Sequence, residues 1–519
     1  MYDYVIVGAG SAGCVLAARL SEDPDVHVCL IEAGTADVAE NIHMPSAFPK
    51  LFRTRFDWDY DTAEEPDLNG RRLYLPRGRV LGGTSSMNAM LYIRSTPADY
   101  DSWEQPGWRH AELLPYFKRS EDNERGESEY HGVGGPLTVS DGRSRNPSTA
   151  AFTEAAAQAG YQATSDFNGP SLDGFGAFQL TQRDGRRCST STGFLRPAMS
   201  RLNLTVKTGF QVHRVILENG RAVGVTGMHL DTGFTIRAER EVIISAGAYN
   251  SPQLLMLSGI GPAGPLAGLG IPVVADLPVG RNLQDHVHVP LNCVHTQPVS
   301  LITAATLENL ELFRRYGQGP LTSNGPETGG FVRTSDGLAG PDAAYFAGPA
   351  MFTESGLGIP TAHAVSCGPT LVSPGSRGSL TLMSDDPTAK PRILNNFLSD
   401  EADVRAAIAA VRVALDIVRQ PAMARYAESI HEFPDRASDA DLRGYVRQRA
   451  HSMFHPAGTC AMGAVVGADL TVYGVTGLRV ADCSVMPIVG RGGPNASAIM
   501  IGEKAADLIR SAFSVRMAA

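Results

Sequence analysis

Three glycines near the N-terminus, Gly8, Gly10 and Gly13, stand in G-x-G-x-x-G spacing, and an acidic residue, Glu32, follows at a distance. That set could hold a dinucleotide. Gly8 permits a tight turn, Gly10 lets the backbone approach a pyrophosphate, and Gly13 lets a helix pack close so that its free N–H groups face the phosphates. Glu32 is placed to accept ribose hydroxyls. The spacing alone does not separate NAD from FAD. A second set with chemical potential is histidine. His451 and His455 stand four apart, and His286 and His288 alternate after Asp285. Zinc is one reading of the first pair. Pro456 ends any helix there, however, and no H-E-x-x-H glutamate accompanies them. Taken alone, His455 reads as a capping histidine before Pro456. His286 and His288 would share one face of a strand, as a satisfied structural pair rather than a metal site.

The elements that must position these residues follow from the apolar pattern. Tyr2–Val7 alternates and then runs apolar, 14–20 has a helical period, and 26–31 reads as a buried strand leading into Glu32. A second glycine-rich block at 77–84 reads as a loop whose backbone donors face a ligand, or as an ordinary Gly-Gly turn. Residues 200–250 alternate as β-structure, with Asn219-Gly220 as a hairpin turn. They close in a buried strand, Ala246-Gly247-Ala248 and a helix, a second strand–turn–helix able to meet a nucleotide. Residues 290–450 lack such loops. They carry a strand at 378–383, an amphipathic helix at 401–419 and a polar helical region at 438–449, and read as a separate, substrate-facing domain. Motif density returns after residue 450, where Pro494 and Asn495 stand near a helix start.

With 519 residues the chain can form two or more domains, each with its own core. A net charge of −9 argues against nucleic acid or an anionic membrane as the main partner. No apolar run is long enough to span a bilayer, and no basic segment precedes a hydrophobic one. The expectation is a cytoplasmic, bacterial-type protein without a signal peptide. The seven cysteines are odd in number and lack any C-x-x-C, which argues against a disulfide framework or a zinc ribbon. No metal is expected.

Five motifs in order along the chain, "VGAGSAG…EAG", "RVLGGTSSMNAMLYIR", "ISAGAYNSPQLLMLSGIGP", "HPAGTCAMG" and "GRGGPNASAI", resemble the glucose–methanol–choline (GMC) flavin oxidoreductase family. The likeness is nearest to bacterial alcohol dehydrogenases, choline dehydrogenase-like proteins and furfuryl or aryl alcohol oxidases. It implies FAD and an α/β fold, α+β overall. A discontinuous Rossmann-like FAD-binding domain (1–150, 191–289 and 451–519) would join a substrate domain (151–190 and 290–450) with an antiparallel sheet backed by helices.

The resemblance assigns Gly8, Gly10 and Gly13 to the pyrophosphate and Glu32 to the adenosine ribose. A loop containing Arg79, Val80, Gly83, Thr84 and Asn88 would lie along the pyrophosphate and the flavin. Val212 would touch the adenine side, with Ala246 nearby, and Asp482 would meet the ribityl chain. Ser11, Ala12, Ala33, Trp58, Met90 and Ala496 complete the implied cofactor set. Some family members link FAD covalently through a histidine where this chain has Met87, so non-covalent FAD is expected.

The catalytic pair implied is His455, as general base, and Asn495, which would steady the alkoxide. Phe454 would crowd the flavin face, and Met453 would join it in the substrate pocket. "TSNGPETGGF" suggests Asn324 and Glu327 near the substrate, although Glu327 also reads as a solvated loop carboxylate. The activity implied is oxidation of a small primary alcohol, aromatic or furanic, to its aldehyde by hydride transfer to flavin N5. Oxygen or a quinone-type carrier would reoxidise the cofactor, and a homo-oligomer is left open. A choline-type dehydrogenase, a hydroxynitrile lyase-like enzyme with the same fold and an NAD-dependent dehydrogenase are the alternatives.

Overall fold

An apolar run buried on both faces belongs in a parallel sheet covered by helices. Tyr2–Val7 is such a run in the computed structural model, which describes residues 1–518. It lies between two parallel neighbours, Val28–Glu32 and Thr232–Ile244. Leu204–Thr208 extends the sheet beyond the first, and Leu478–Val480 beyond the second, both parallel. Five parallel strands are thus gathered from distant parts of the chain. Thr232–Ile244 spends its early residues differently, closing an antiparallel meander with Phe210–Glu218 and Arg221–His229. The hairpin turn is Asn219-Gly220, with φ of 51° and 74°. Two positive φ angles suit the twist of the flanking strands.

The first helix, Ser11–Leu20, starts earlier than its apolar period suggests, because small residues at 11–13 carry no such signal. It packs against the C-terminal helix, Pro494–Ala518. Buried Glu503 of that helix bridges Arg19 at 2.8 Å and Arg119 at 2.6 Å. A Cβ on Gly13 would fall 1.9 Å from the Gly8 carbonyl oxygen, so only glycine lets helix and turn meet.

A second sheet is antiparallel throughout, in the order His451–Ser452, Val287–His288, Pro369–Leu371, Ala343–Ala347, Thr328–Val332, Gly174–Ala177. The helices Pro147–Gln158 and Glu401–Val418 back one face. Val332 and Tyr345 share their core with Val404 and Val411, and the Tyr345 hydroxyl donates to the Ala410 carbonyl at 2.9 Å. Phe331 and Phe346 alternate to the other face. The polar helix is Asp439–Arg449, capped by Ser438 in a capping box with Asp441. The strand expected at 378–383 is shorter, Ser379–Thr381. Val287–His288 and His451–Ser452 pair within this second sheet, although each lies at the edge of a segment expected to serve the first. No helix among the described residues is long and apolar enough to cross a membrane.

Candidate active site

A cavity of about 770 Å³ is lined by residues of both sheets. At one end lie the glycine turns. No side chain caps the helix that starts at Ser11, which leaves the amides of its first turn facing the cavity. The second glycine loop presses on the first. The Gly82 N–H donates to the Ala9 carbonyl at 2.8 Å, and a Cβ on Gly83 would fall 2.7 Å from Gly10 Cα. Glu32 holds this turn together by accepting the amides of Ala9 at 2.9 Å and Gly34 at 2.8 Å. Burial pushes its carboxyl up to about 7. Asp482 likewise accepts the Gly247 amide at 2.9 Å, the Ser251 hydroxyl at 2.5 Å and the Ser484 amide at 2.8 Å. The Arg79 guanidinium lies 4.8 Å over Trp58, and its Nε is buried without a partner. Uncapped helix amides, bare glycine backbone and an unsatisfied guanidinium nitrogen fit the pyrophosphate of a dinucleotide such as FAD.

Every cofactor residue expected from the sequence lines the cavity except Gly13, Val80 and Ala496. Gly13 faces Gly8 instead. Val80 is fully buried among Phe52, Phe56 and Met87, and Ala496 packs into the main core. Buried Arg187 steadies the second loop by donating to the Ser85 carbonyl at 3.1 Å and to Asn88 Oδ1 at 2.9 Å.

The other end of the cavity carries His286, His288, His451, Met453, Phe454 and His455. Asp285 builds the loop that presents His455. Its Oδ1 accepts the His455 amide at 2.8 Å and its Oδ2 accepts the Ser452 hydroxyl at 2.5 Å. Ser452 Oγ in turn accepts the Phe454 amide at 2.7 Å. Phe454 is forced to a φ of 66°, unusual for a bulky residue, and Arg77 donates to its carbonyl at 2.6 Å. Burial raises the Asp285 carboxyl to about 6.

The side chain of His455 meets His286, Nδ1 to Nδ1, at 2.9 Å, with the rings at 81°. Among the described residues its Nε2 has no hydrogen-bond partner. Burial, then His286, then the Arg77 cation hold the His455 imidazole well below the ordinary histidine range. Burial lowers His286 to about 4, against a smaller opposing pull from the Gly490 backbone. Two neutral rings therefore share one N–H···N bond. The 286/288 pair divides between two partners. His286 partners the candidate base, while His288 bonds Thr370 Oγ1 at 2.8 Å and faces His451 across the strands, with ring centroids 5.0 Å apart. His451 and His455 turn to different partners. Asn495 also lines the cavity, and its Oδ1 accepts the Ser11 hydroxyl at 2.6 Å.

Two expected substrate residues are not in the wall. Asn324 is wholly buried and donates to the carbonyls of Ala89 and Pro326, both at 2.9 Å, and its neighbours Gly325 and Pro326 line the cavity in its place. Glu327 is neither solvated nor in the cavity wall. It is buried, and its carboxylate accepts Ser144 and Ser323 hydroxyls at 2.7 Å, the Asn146 amide at 3.0 Å and the Thr149 hydroxyl at 2.9 Å. Clustered donors at the start of Pro147–Gln158 draw it inward. Sequence reasoning missed Arg77, Asp285 and the role of His286. The only signal was the Asp285-His286 dipeptide, which acquires meaning once its distant partner is known.

GMC oxidoreductase family models match residues 2–288 and 374–502. Human mitochondrial choline dehydrogenase is 43% identical over 98% of this chain and 90% of its own length. An oxygen-dependent choline dehydrogenase of Brucella ovis is 42% identical over 98% of this chain and 95% of its own. Among solved structures, pyridoxine 4-oxidase from Mesorbium loti superposes with a TM-score of 0.90 at 32% identity, covering 98% of this chain and 99% of that one.

Proposed function

The chain belongs to the GMC oxidoreductase family, and from that premise we propose how its residues carry out the reaction. The protein is an FAD-dependent oxidoreductase acting on CH–OH donors. Bound FAD supplies the acceptor for a hydride. The chain must supply a base and a grip on the oxygen, and His455 is the base. A nitrogen that takes a proton must hold a lone pair, so Nε2 is bare and Nδ1 carries the ring hydrogen, donated to His286 Nδ1. The substrate hydroxyl gives its proton to His455 Nε2 as the carbinol carbon gives up its hydrogen as a hydride, and the product is the aldehyde. With the Ser11 hydroxyl on Oδ1, Asn495 keeps its two Nδ2 hydrogens for the developing alkoxide and changes no charge. Electrons leave to oxygen or to a quinone-type carrier.

FAD is held without a covalent bond, because the Met87 thioether cannot make a histidyl linkage. The five-segment division into FAD-binding and substrate domains accords with this reading. The observation that carries it is the 2.9 Å Nδ1–Nδ1 contact, which leaves His455 Nε2 without a protein partner in the cavity. Anaerobic mixing with a benzylic alcohol tests it. Bleaching of the flavin with stoichiometric aldehyde supports the reading, whereas product formed over a still-yellow flavin refutes it. Acid precipitation should release all flavin to the supernatant, and colour in the pellet would refute non-covalent binding.

A further inference from the structure

Charge separates the two ends of the cavity. Among the described residues lining it, the only carboxylates are Glu32 and Asp482, both occupied at the glycine turns. The histidine end presents imidazoles and the rings of Phe52, Phe352 and Phe454. Burial holds all four imidazoles neutral, each below the ordinary histidine range. A cation, Arg77, donates to the Phe454 carbonyl at 2.6 Å, and its field already helps to depress His455. A cationic substrate here would meet no carboxylate in the wall, because Asp285 lies behind His455 with its oxygens taken by the His455 amide and the Ser452 hydroxyl. Aromatic faces attract a cation, but weakly beside a fixed positive charge.

His451 adds a positive requirement. Its Nδ1 lies 2.7 Å from the Ser452 carbonyl oxygen, which can only accept, so the ring hydrogen sits on Nδ1. In the neutral ring Nε2 is then a lone-pair acceptor. That atom is buried and has no protein partner, on a side chain 4% exposed that lines the cavity. A buried acceptor without a donor is unfavourable, and a donor on the substrate relieves it. We propose that the alcohol oxidised here is uncharged and carries, besides the reacting hydroxyl, a second hydrogen-bond donor such as a ring hydroxyl, which His451 Nε2 accepts. This deepens the assignment of His455 as base and rests on it.

The test uses the flavin-loaded protein under anaerobic stopped-flow. Choline and 3,3-dimethylbutan-1-ol differ only in a nitrogen cation replacing a carbon. The neutral isostere should reduce the flavin at least tenfold more efficiently or, where neither is turned over, compete with benzyl alcohol at a tenfold lower concentration. The best of 2-, 3- and 4-hydroxybenzyl alcohol should exceed benzyl alcohol about tenfold in kcat/KM. In His451→Leu that ratio should fall to about one, and in His451→Gln, whose amide oxygen accepts, it should return. Choline matching its isostere overturns the proposal. So does a hydroxyl preference that is absent from the parent or untouched in His451→Leu. Failure of every alcohol to bleach the flavin overturns the assignment of His455 itself, and is told apart by that.

Discussion

The two ends of the cavity are built by opposite means. At the glycine end the backbone makes the site. Helix amides and bare Cα atoms face the cavity, while Glu32 and Asp482 spend their oxygens on tying turns together. At the histidine end side chains make the site and the backbone is the thing held. Asp285 grips the amide of His455, and Arg77 grips the carbonyl of Phe454. The first construction tolerates little change in residue size. The second sets protonation and orientation, so its failures should appear in rate and pH dependence more than in cofactor retention.

The largest break should come from His455→Ala. A general base contributes about 10²–10⁴-fold, and flavin reduction should fall by that order with FAD still bound. A fall of less than about tenfold would make His455 a bystander. In the parent, burial and Arg77 depress the imidazole. The base is therefore already free at neutral pH, and the rate should be flat from about pH 6.5 upward, with its acid limb below the ordinary histidine range. A midpoint near 7 would contradict this.

Asn495→Ala should cost roughly 10²–10³, the loss seen for an oxyanion donor, with the acid limb retained. If Asn495 only ties Pro494–Ala518 to Ser11, the variant will melt earlier yet reduce flavin at nearly the parental rate.

His286→Ala should cost roughly ten- to a hundredfold, the order seen when the orienting partner of a functional imidazole is lost. Its removal also takes away one of the influences that lower His455, so the acid limb should move up in pH. His286→Asn, which can accept from Nδ1–H, should recover part of the rate. A variant with unchanged rate and limb would show that the contact sets nothing.

The smallest effect on turnover belongs to the other end. Glu32→Ala removes two charge-assisted bonds to the turn, and charge-assisted bonds are worth roughly 1.5–3 kcal/mol each. FAD retention should weaken by at least one to two decades, with the rate per bound flavin near normal. Equal occupancy in mutant and parent would erase the contrast between the two ends.

This contrast also explains what could be read from the sequence. The glycine turn was legible because its determinants lie within one strand–turn–helix unit, where local spacing is geometry. The meander and the helix Glu401–Val418 were legible from periodicity for the same reason. The histidine end was half legible. His455 stood out through its motif, but His286 and Asp285 acquire a role only when two segments far apart in the chain meet in neighbouring strands. Glu327 misled because a carboxylate's default is the surface. The hydroxyls of Ser144, Thr149 and Ser323 that draw it inside come from two separate stretches of chain.

The central sheet sets an order of events during synthesis. Tyr2–Val7 is made first, yet it pairs with Thr232–Ile244, whose other edge awaits Leu478–Val480. The helix Ser11–Leu20 waits longer still for Pro494–Ala518 and its buried Glu503. At ribosomal rates of about 5–20 residues per second, roughly 25–100 s pass between the two. Throughout that interval one of the most apolar stretches of the chain is outside the ribosome without its final partner. The nascent protein should therefore depend on holding factors. Shortening the C-terminal helix should damage the yield of soluble protein far more than the chemistry of the molecules that succeed in folding.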